Sequence, residues 1–205
     1  MANFPRTVPS AHAAAPKVPT GLISPGRTGV SQLRSENRAG RTWTETWGAI
    51  KAGNASVEAL LAFIEYYYNT LTIFDCDHPY APGSGGAPNG AGGGTPLVNG
   101  ASQTGASLIT DGWPNSTLVV AAGDNLKVAG LNAVYKSRDD GTSDGSGNLT
   151  LTVNPPIASG NSPANNAALT LTGNRFRVFI ADYEPGLADP GEYMVGMRVT
   201  FQETV

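Results

Sequence analysis

The sequence predicts a mainly β protein, a β-sandwich or split barrel carrying one helix and an inserted small antiparallel barrel, and three observations lead there. Short apolar runs recur through the second half of the chain. They are separated by Asp111-Gly112, Gly123-Asp124, Ala129-Gly130 and the stretch from Asp140-Gly141 to Gly147-Asn148, each able to supply the positive φ or side-chain turn of a hairpin. The composition, with 26 Gly and 15 Pro among 205 residues, favours turns over helix interiors. Finally, only one stretch has convincing helical periodicity.

The elements follow in chain order. Residues 1–30 hold Pro5, Pro9, Pro16, Pro19 and Pro25; proline removes the N–H that a helix interior or central strand requires, so this arm is expected to be extended and unable to fold alone. It is expected to flap or to lie along a partner, adding backbone hydrogen bonds to a neighbouring subunit's sheet edge. Arg41 to Trp47 is rich in Thr and Trp, and Trp43 and Trp47 share one face; it is read as a strand. From Ser56, Val57, Leu60, Leu61, Ile64, Tyr67 and Tyr68 form an apolar stripe that predicts a helix over about 56–69. Leu71 to Phe74 is read as the next strand, and Tyr80 to Gly94 as a Gly/Pro/Ser/Asn linker with no means of burying itself.

Beyond the linker, strands are expected around Leu108 and Ile109, at Thr117–Ala121, Leu126–Val128, Ala133–Tyr135 and Leu149–Val153. Longer ones are expected at Ala168–Thr172, Arg175–Ala181 and Tyr193–Gln202, with Phe176, Val178 and Ile180 alternating against Arg175, Arg177 and Phe179. The resulting organisation is an arm (1–30), a hub domain from 31–94 plus 166–205, and an inserted module at 95–165.

Charge and cysteine content bound the function. Charged residues make up 14% of the chain, against roughly 25% in an ordinary soluble domain, so much of the surface is expected to meet protein. Residues 1–55 carry seven bases against two acids, net +5, and the remainder six against fourteen, net −8. The bases are spaced rather than clustered, which suits a subunit boundary or a channel face better than a nucleic-acid site. Cys76 is the only cysteine; it has no internal disulfide partner, and the expected site of synthesis is the cytosol. No run reaches the roughly 18 apolar residues that span a bilayer, and Met1 to Pro19 lacks a signal-peptide core. The sequons at Asn54, Asn115 and Asn148 therefore carry no weight.

A search for chemistry assigns no catalytic, cofactor-binding or metal-binding residue, and the expectation is a non-enzyme. The two histidines, His12 and His78, sit in unpromising places. Asp75-Cys76-Asp77-His78 is the densest polar cluster, but neighbours on an extended segment point to opposite sides and do not converge on one ion. Asp139-Asp140-Gly141-Thr142-Ser143-Asp144-Gly145-Ser146-Gly147-Asn148 resembles a calcium loop superficially; it lacks a bidentate Glu at the twelfth position and is followed by a strand pattern, so it is read as a hairpin loop. Gly-rich residues 83–94 contain no phosphate-binding motif. Of Tyr66-Tyr67-Tyr68, two continue the helix stripe and are read as core.

The run Thr95-Pro96-Leu97-Val98-Asn99-Gly100-Ala101-Ser102-Gln103-Thr104-Gly105, then Leu108-Ile109-Thr110-Asp111-Gly112-Trp113-Pro114, resembles a module of phage tail proteins. The resemblance continues through Ala122-Gly123-Asp124, Val134-Tyr135, Thr142 to Asn148, Leu149-Thr150-Leu151, Pro155-Pro156 and Ser162 to Ala167, covering about 95–170. It is a resemblance to the distal tail or baseplate-hub-associated proteins of long-tailed, non-contractile bacteriophages. More weakly, Leu61-Ala62-Phe63-Ile64 and Met197-Arg198-Val199-Thr200-Phe201 resemble the helix end and the closing strand of the same family.

The resemblance implies a virion structural protein at the distal end of the tail, a homo-oligomeric ring of six copies. Its implied partners are the tail tube, baseplate hub and tape measure proteins, with no membrane contact and with DNA only in passage through the lumen. A tail-tube, tail-completion or other virion protein is the alternative within that class. A carbohydrate-binding β-sandwich presenting Trp43, Trp47 and Trp113 is the alternative outside it.

Overall fold

The structure, a computed structural model, describes residues 2–5, 41–48, 55–77, 88–186 and 196–204, with the backbone alone of short strands elsewhere. In chain order the strands are β1 (His12–Ala13), β2 (Leu22–Ile23), β3 (Gln32–Leu33), β4 (Thr42–Trp47) and β5 (Ile50–Lys51), followed by helix α1 (Ala55–Thr70) and β6 (Phe74–Cys76). Then come β7 (Leu97–Val98), β8 (Gly105–Asp111), β9 (Leu118–Val120), β10 (Asn125–Val128), β11 (Val134–Ser137), β12 (Gly141–Thr142), β13 (Leu149–Ile157) and β14 (Leu169–Thr170). The chain ends with β15 (Phe176–Glu184), β16 (Leu187–Asp189), β17 (Tyr193–Val195) and β18 (Met197–Glu203). Among the described residues the fold is mainly β with one helix, a nearly closed six-stranded barrel-like sheet and a half-barrel sheet, as the sequence predicts.

The chain divides into two compact units, residues 1–80 with 177–204 and residues 81–176. The second is thus inserted in the first, but its edges differ from the expected 95 and 165. Residues 88–94, read as a linker, belong to the second unit: Ala91 N–H donates to Leu118 O and Gly92 N–H to Val119 O, both at 2.9 Å. Glycine makes this possible, since a Cβ at Gly90 would collide with the carbonyl of Val119. Residues 166–176 belong there too, because β14 pairs with β10.

In the first unit the half-barrel sheet has the order β1-β4-β18-β15-β6. The alternation of β4 buries Trp43, Glu45 and Trp47 and places them opposite Phe201, Val199 and Met197 of β18. Thr44 and Thr200 face the other way and share a 3.0 Å hydrogen bond between their hydroxyls. Phe176, Val178 and Ile180 are buried along β15, as their alternation predicts.

Two expectations are corrected in this unit. The arm is not wholly outside the fold: Phe4 is buried, its N–H donates to Asp75 O at 2.8 Å, and Asp75 N–H donates to Ala2 O at 2.9 Å. The Phe4 ring lies 5.1 Å from Phe201, 5.6 Å from Phe63, 6.1 Å from Phe74 and 6.3 Å from Trp47. At the opposite edge His12–Ala13 pairs with β4 of the same chain. An aromatic side chain beside Pro5 thus overrides the extended-arm pattern, because burying it among four rings outweighs ordering a few residues. The remainder of the arm, apart from the backbone of β2, which pairs antiparallel with β3 beyond the arm, lies outside the described residues.

The second correction concerns Leu71–Phe74. The helix runs to Thr70, whose hydroxyl donates back to Tyr66 O, and Leu71 then takes a left-handed φ of 50°. The chain needs that reversal to return, so the strand begins only at Phe74. A leucine in this conformation costs on the order of 1 kcal/mol that glycine would avoid.

The second unit contains a six-stranded antiparallel sheet, β14-β10-β11-β13-β8-β7, and the antiparallel pair β12-β9. A bridge between Leu97 and Ala168, flanked by Leu169 N–H to Pro96 O at 2.9 Å, brings its two edges together. Its core includes Leu108, Trp113, Val119, Leu126, Tyr135 and Leu151. The turn glycines sit at close approaches: Gly112, at φ 77°, has no room for a Cβ beside the Thr95 carbonyl.

Candidate functional site

The polar clusters resolve into structural devices. In the 139–148 loop, Asp144 accepts the N–H groups of Ser146 and Asn148 at 2.8 Å and the Asn148 side-chain amide at 3.0 Å. The amide and backbone of Asn148 lead the hydrogen bonds that lower its pKa. Asp140 accepts Ala122 N–H at 2.8 Å. Asp139 pairs with Arg138 at 3.1 Å, and Arg138 is the main cause of its lowered pKa. Each carboxylate faces protein donors, as in a turn. Ser143, between them, is hydrogen-bonded through its hydroxyl to Pro114 O.

At 75–78, Asp75 serves the Ala2–Phe4 strand contact through its backbone, Cys76 is buried with its thiol donating to Asp77 O, and His78 lies outside the described residues. Among the described residues no three His, Cys, Asp or Glu side chains are grouped to hold a metal. Tyr67 and Tyr68 are partly buried, Tyr67 against Phe63 and Phe74 and Tyr68 against Tyr183, whereas Tyr66 is 58% exposed. His12 is described only in its backbone, within β1.

Two arrangements escape sequence reasoning. Asp124 is buried and accepts four donors: Asn89 N–H at 2.8 Å, Asn89 Nδ2 at 2.9 Å, Gly90 N–H at 3.0 Å and Ala121 N–H at 2.8 Å. Burial pushes its pKa up, but the donors from Asn89, Ala121 and Gly90 together outweigh burial and hold it below the ordinary value. The Gly123-Asp124 pair signals a turn; its link to residues 35 positions away does not show in local sequence. Likewise Glu45, a polar residue at an inward position, is fully buried and accepts Trp43 Nε1 at 3.1 Å, and Glu203 accepts Arg41 N–H at 3.3 Å.

Trp43, Trp47 and Trp113 are 2%, 0% and 4% exposed. A carbohydrate-binding platform needs aromatic faces open to solvent, so these rings do not provide one. The described apolar exposure lies elsewhere. In the first unit Tyr66, Leu71 (64%) and Ile73 (39%) are exposed within eight residues of one another, at the end of α1. In the second, Ile109 and Leu118 are exposed singly. No helix among the described residues is long and apolar enough to cross a membrane.

Among the described residues this is a two-unit β protein in which Asp124, Asp140 and Asp144 organise turns. Comparison with protein-family models and with curated proteins found no match to this chain.

Proposed function

We propose that this chain is a structural, non-enzymatic subunit of a bacteriophage tail, forming a ring of six copies at the distal end that joins the tail tube to the hub and fibres. The ordered resemblance of residues 95–170 carries the reading. The residues within that match hold the second unit's turns and barrel closure: Trp113 Nε1 donates to Thr110 Oγ1 at 2.8 Å, Asp144 closes its own loop, and Leu97 bridges Ala168. A match in scaffold positions speaks for a shared architecture, and an adaptor acts through its architecture. The exposure of Leu71 and Ile73 after α1 adds support, since ring contacts bury such side chains.

Negative-stain electron microscopy and native mass spectrometry of the purified chain test the proposal. A closed ring of discrete mass is the expected result. An open, self-stacking fibre favours a tail-tube subunit, and a chain monomeric at every concentration rejects the ring. Binding to a glycan array with a monomeric chain would restore the carbohydrate-binding alternative.

A further inference from the structure

We propose that Asn99 is a site of spontaneous modification, where the folded chain converts asparagine to aspartate and isoaspartate, and that the Asp124 carboxylate withholds the same reaction from Asn89. The chain has two Asn-Gly pairs, Asn89-Gly90 and Asn99-Gly100, each followed by alanine. The fold dictates both glycines. A Cβ at Gly90 would collide with the Val119 carbonyl, and Gly100 holds a φ of 99°. A glycine after asparagine leaves its main-chain nitrogen unshielded by a side chain, so the hazard arises twice.

The reaction needs only water. The glycine nitrogen loses its proton to solvent and attacks the asparagine side-chain carbonyl carbon. An N–C bond forms, the bond from that carbon to Nδ2 breaks, and Nδ2 leaves with a proton as ammonia. Water then opens the five-membered imide at either carbonyl, giving aspartate or isoaspartate with no change of oxidation state. The nitrogen has to be free to lose its proton and the side chain free to swing toward it, so the rate in the folded chain follows how often the local structure opens.

Exposure does not separate the two pairs, since Asn89 and Asn99 are both exposed. Their hydrogen bonds do. At the first pair the attacking and the leaving nitrogen are tied to one buried carboxylate: Gly90 N–H donates to Asp124 Oδ2 at 3.0 Å, Asn89 Nδ2 to Oδ1 at 2.9 Å and Asn89 N–H to Oδ1 at 2.8 Å. The negative charge beside Gly90 N also opposes loss of its proton. At the second pair Gly100 N–H donates to the neutral Oδ1 of Asn165, an exposed residue, at 2.8 Å. One neutral surface hydrogen bond slows opening by about tenfold at most, whereas several charge-assisted ones compound to about a hundredfold or more. Asn99 directly follows β7, where Val98 N–H donates to Ala167 O and Asn166 N–H to Val98 O, so the product forms at the seam that closes the barrel.

The full-length wild type, aged at mildly alkaline pH both folded and in urea, tests this. Peptide mapping by mass spectrometry follows aspartate and isoaspartate at each position, and each folded rate is divided by the rate of the same pair in urea. Asn99 is expected to react within about tenfold of its unfolded rate, and Asn89 about a hundredfold or more below its own. In Asp124→Ala, with folding checked by circular dichroism, Asn89 is expected to accelerate by at least about tenfold while Asn99 keeps its rate. A folded wild type in which Asn89 is slowed no more than Asn99, or in which Asn99 fails to react, overturns the proposal without recourse to the variant. An Asn89 that stays slow in folded Asp124→Ala removes Asp124 as its guard.

Discussion

Asp124 and Phe4 are single residues on which whole segments depend. The Asp124 carboxylate accepts three backbone N–H groups and a side-chain amide, fastening residues 88–90 to the second unit. Asp124→Ala leaves those donors without an acceptor in a buried place, and a loss of about 2–3 kcal/mol in denaturant unfolding of that unit is expected. Because its folded pKa is lowered, the contribution is fully present above the unfolded pKa of about 3.9 and is lost as pH falls through the folded value. The alanine variant should therefore show a shallower decline in stability on acidification below pH 4 than the wild type; identical acid limbs would refute the assignment. For Phe4, truncation to alanine removes a ring packed on four others. A cost of about 3–5 kcal/mol is expected in the first unit, and urea titration followed by tryptophan emission, with Trp43 and Trp47 in the same core, measures it.

At the scale of elements, the patterns that succeed in sequence are those decided by neighbours along the chain. The 16-residue helix exceeds its expected span of 56–69 by one residue at each end, and the alternation expected of Phe176, Val178 and Ile180 matches the burial along β15. What escapes is pairing over distance. Residues 88–92 look like a linker because glycine offers no side chain to bury, yet their backbone lies along β9. Gly90→Ala should detach this segment, since its Cβ meets Val119 O. Hydrogen exchange at the amides of Ala91 and Gly92 is expected to accelerate by at least tenfold while the β13 amides keep their protection. Unchanged exchange at those two amides would mean that the segment is held by something other than the close approach.

The whole molecule is one unit inserted in another, each with its own buried core. The second unit's core, from Val98 to Leu171, draws on residues of that unit alone. Residues 81–176 expressed by themselves are therefore expected to fold, giving dispersed amide resonances and a cooperative melt. Failure of that fragment to fold would show that it depends on the first unit. The N-terminus is integral to the first unit, so deleting residues 1–30 is expected to destabilise that unit through loss of Phe4, whatever else the arm does in assembly.

By itself the sequence determined the class of fold, the helix and the inward face of β15, because period-2 and period-3.6 patterns and turn glycines act over a few residues. It also carried the resemblance at 95–170 and the segregation of basic from acidic residues. Tertiary structure alone decided that Phe4 enters the core, that Asp124 fastens a glycine segment 35 residues away, and that the tryptophans face inward while Leu71 faces out. Each of those depends on which backbone segments meet, and a local pattern in the chain says which side of a strand is apolar without saying what will cover it.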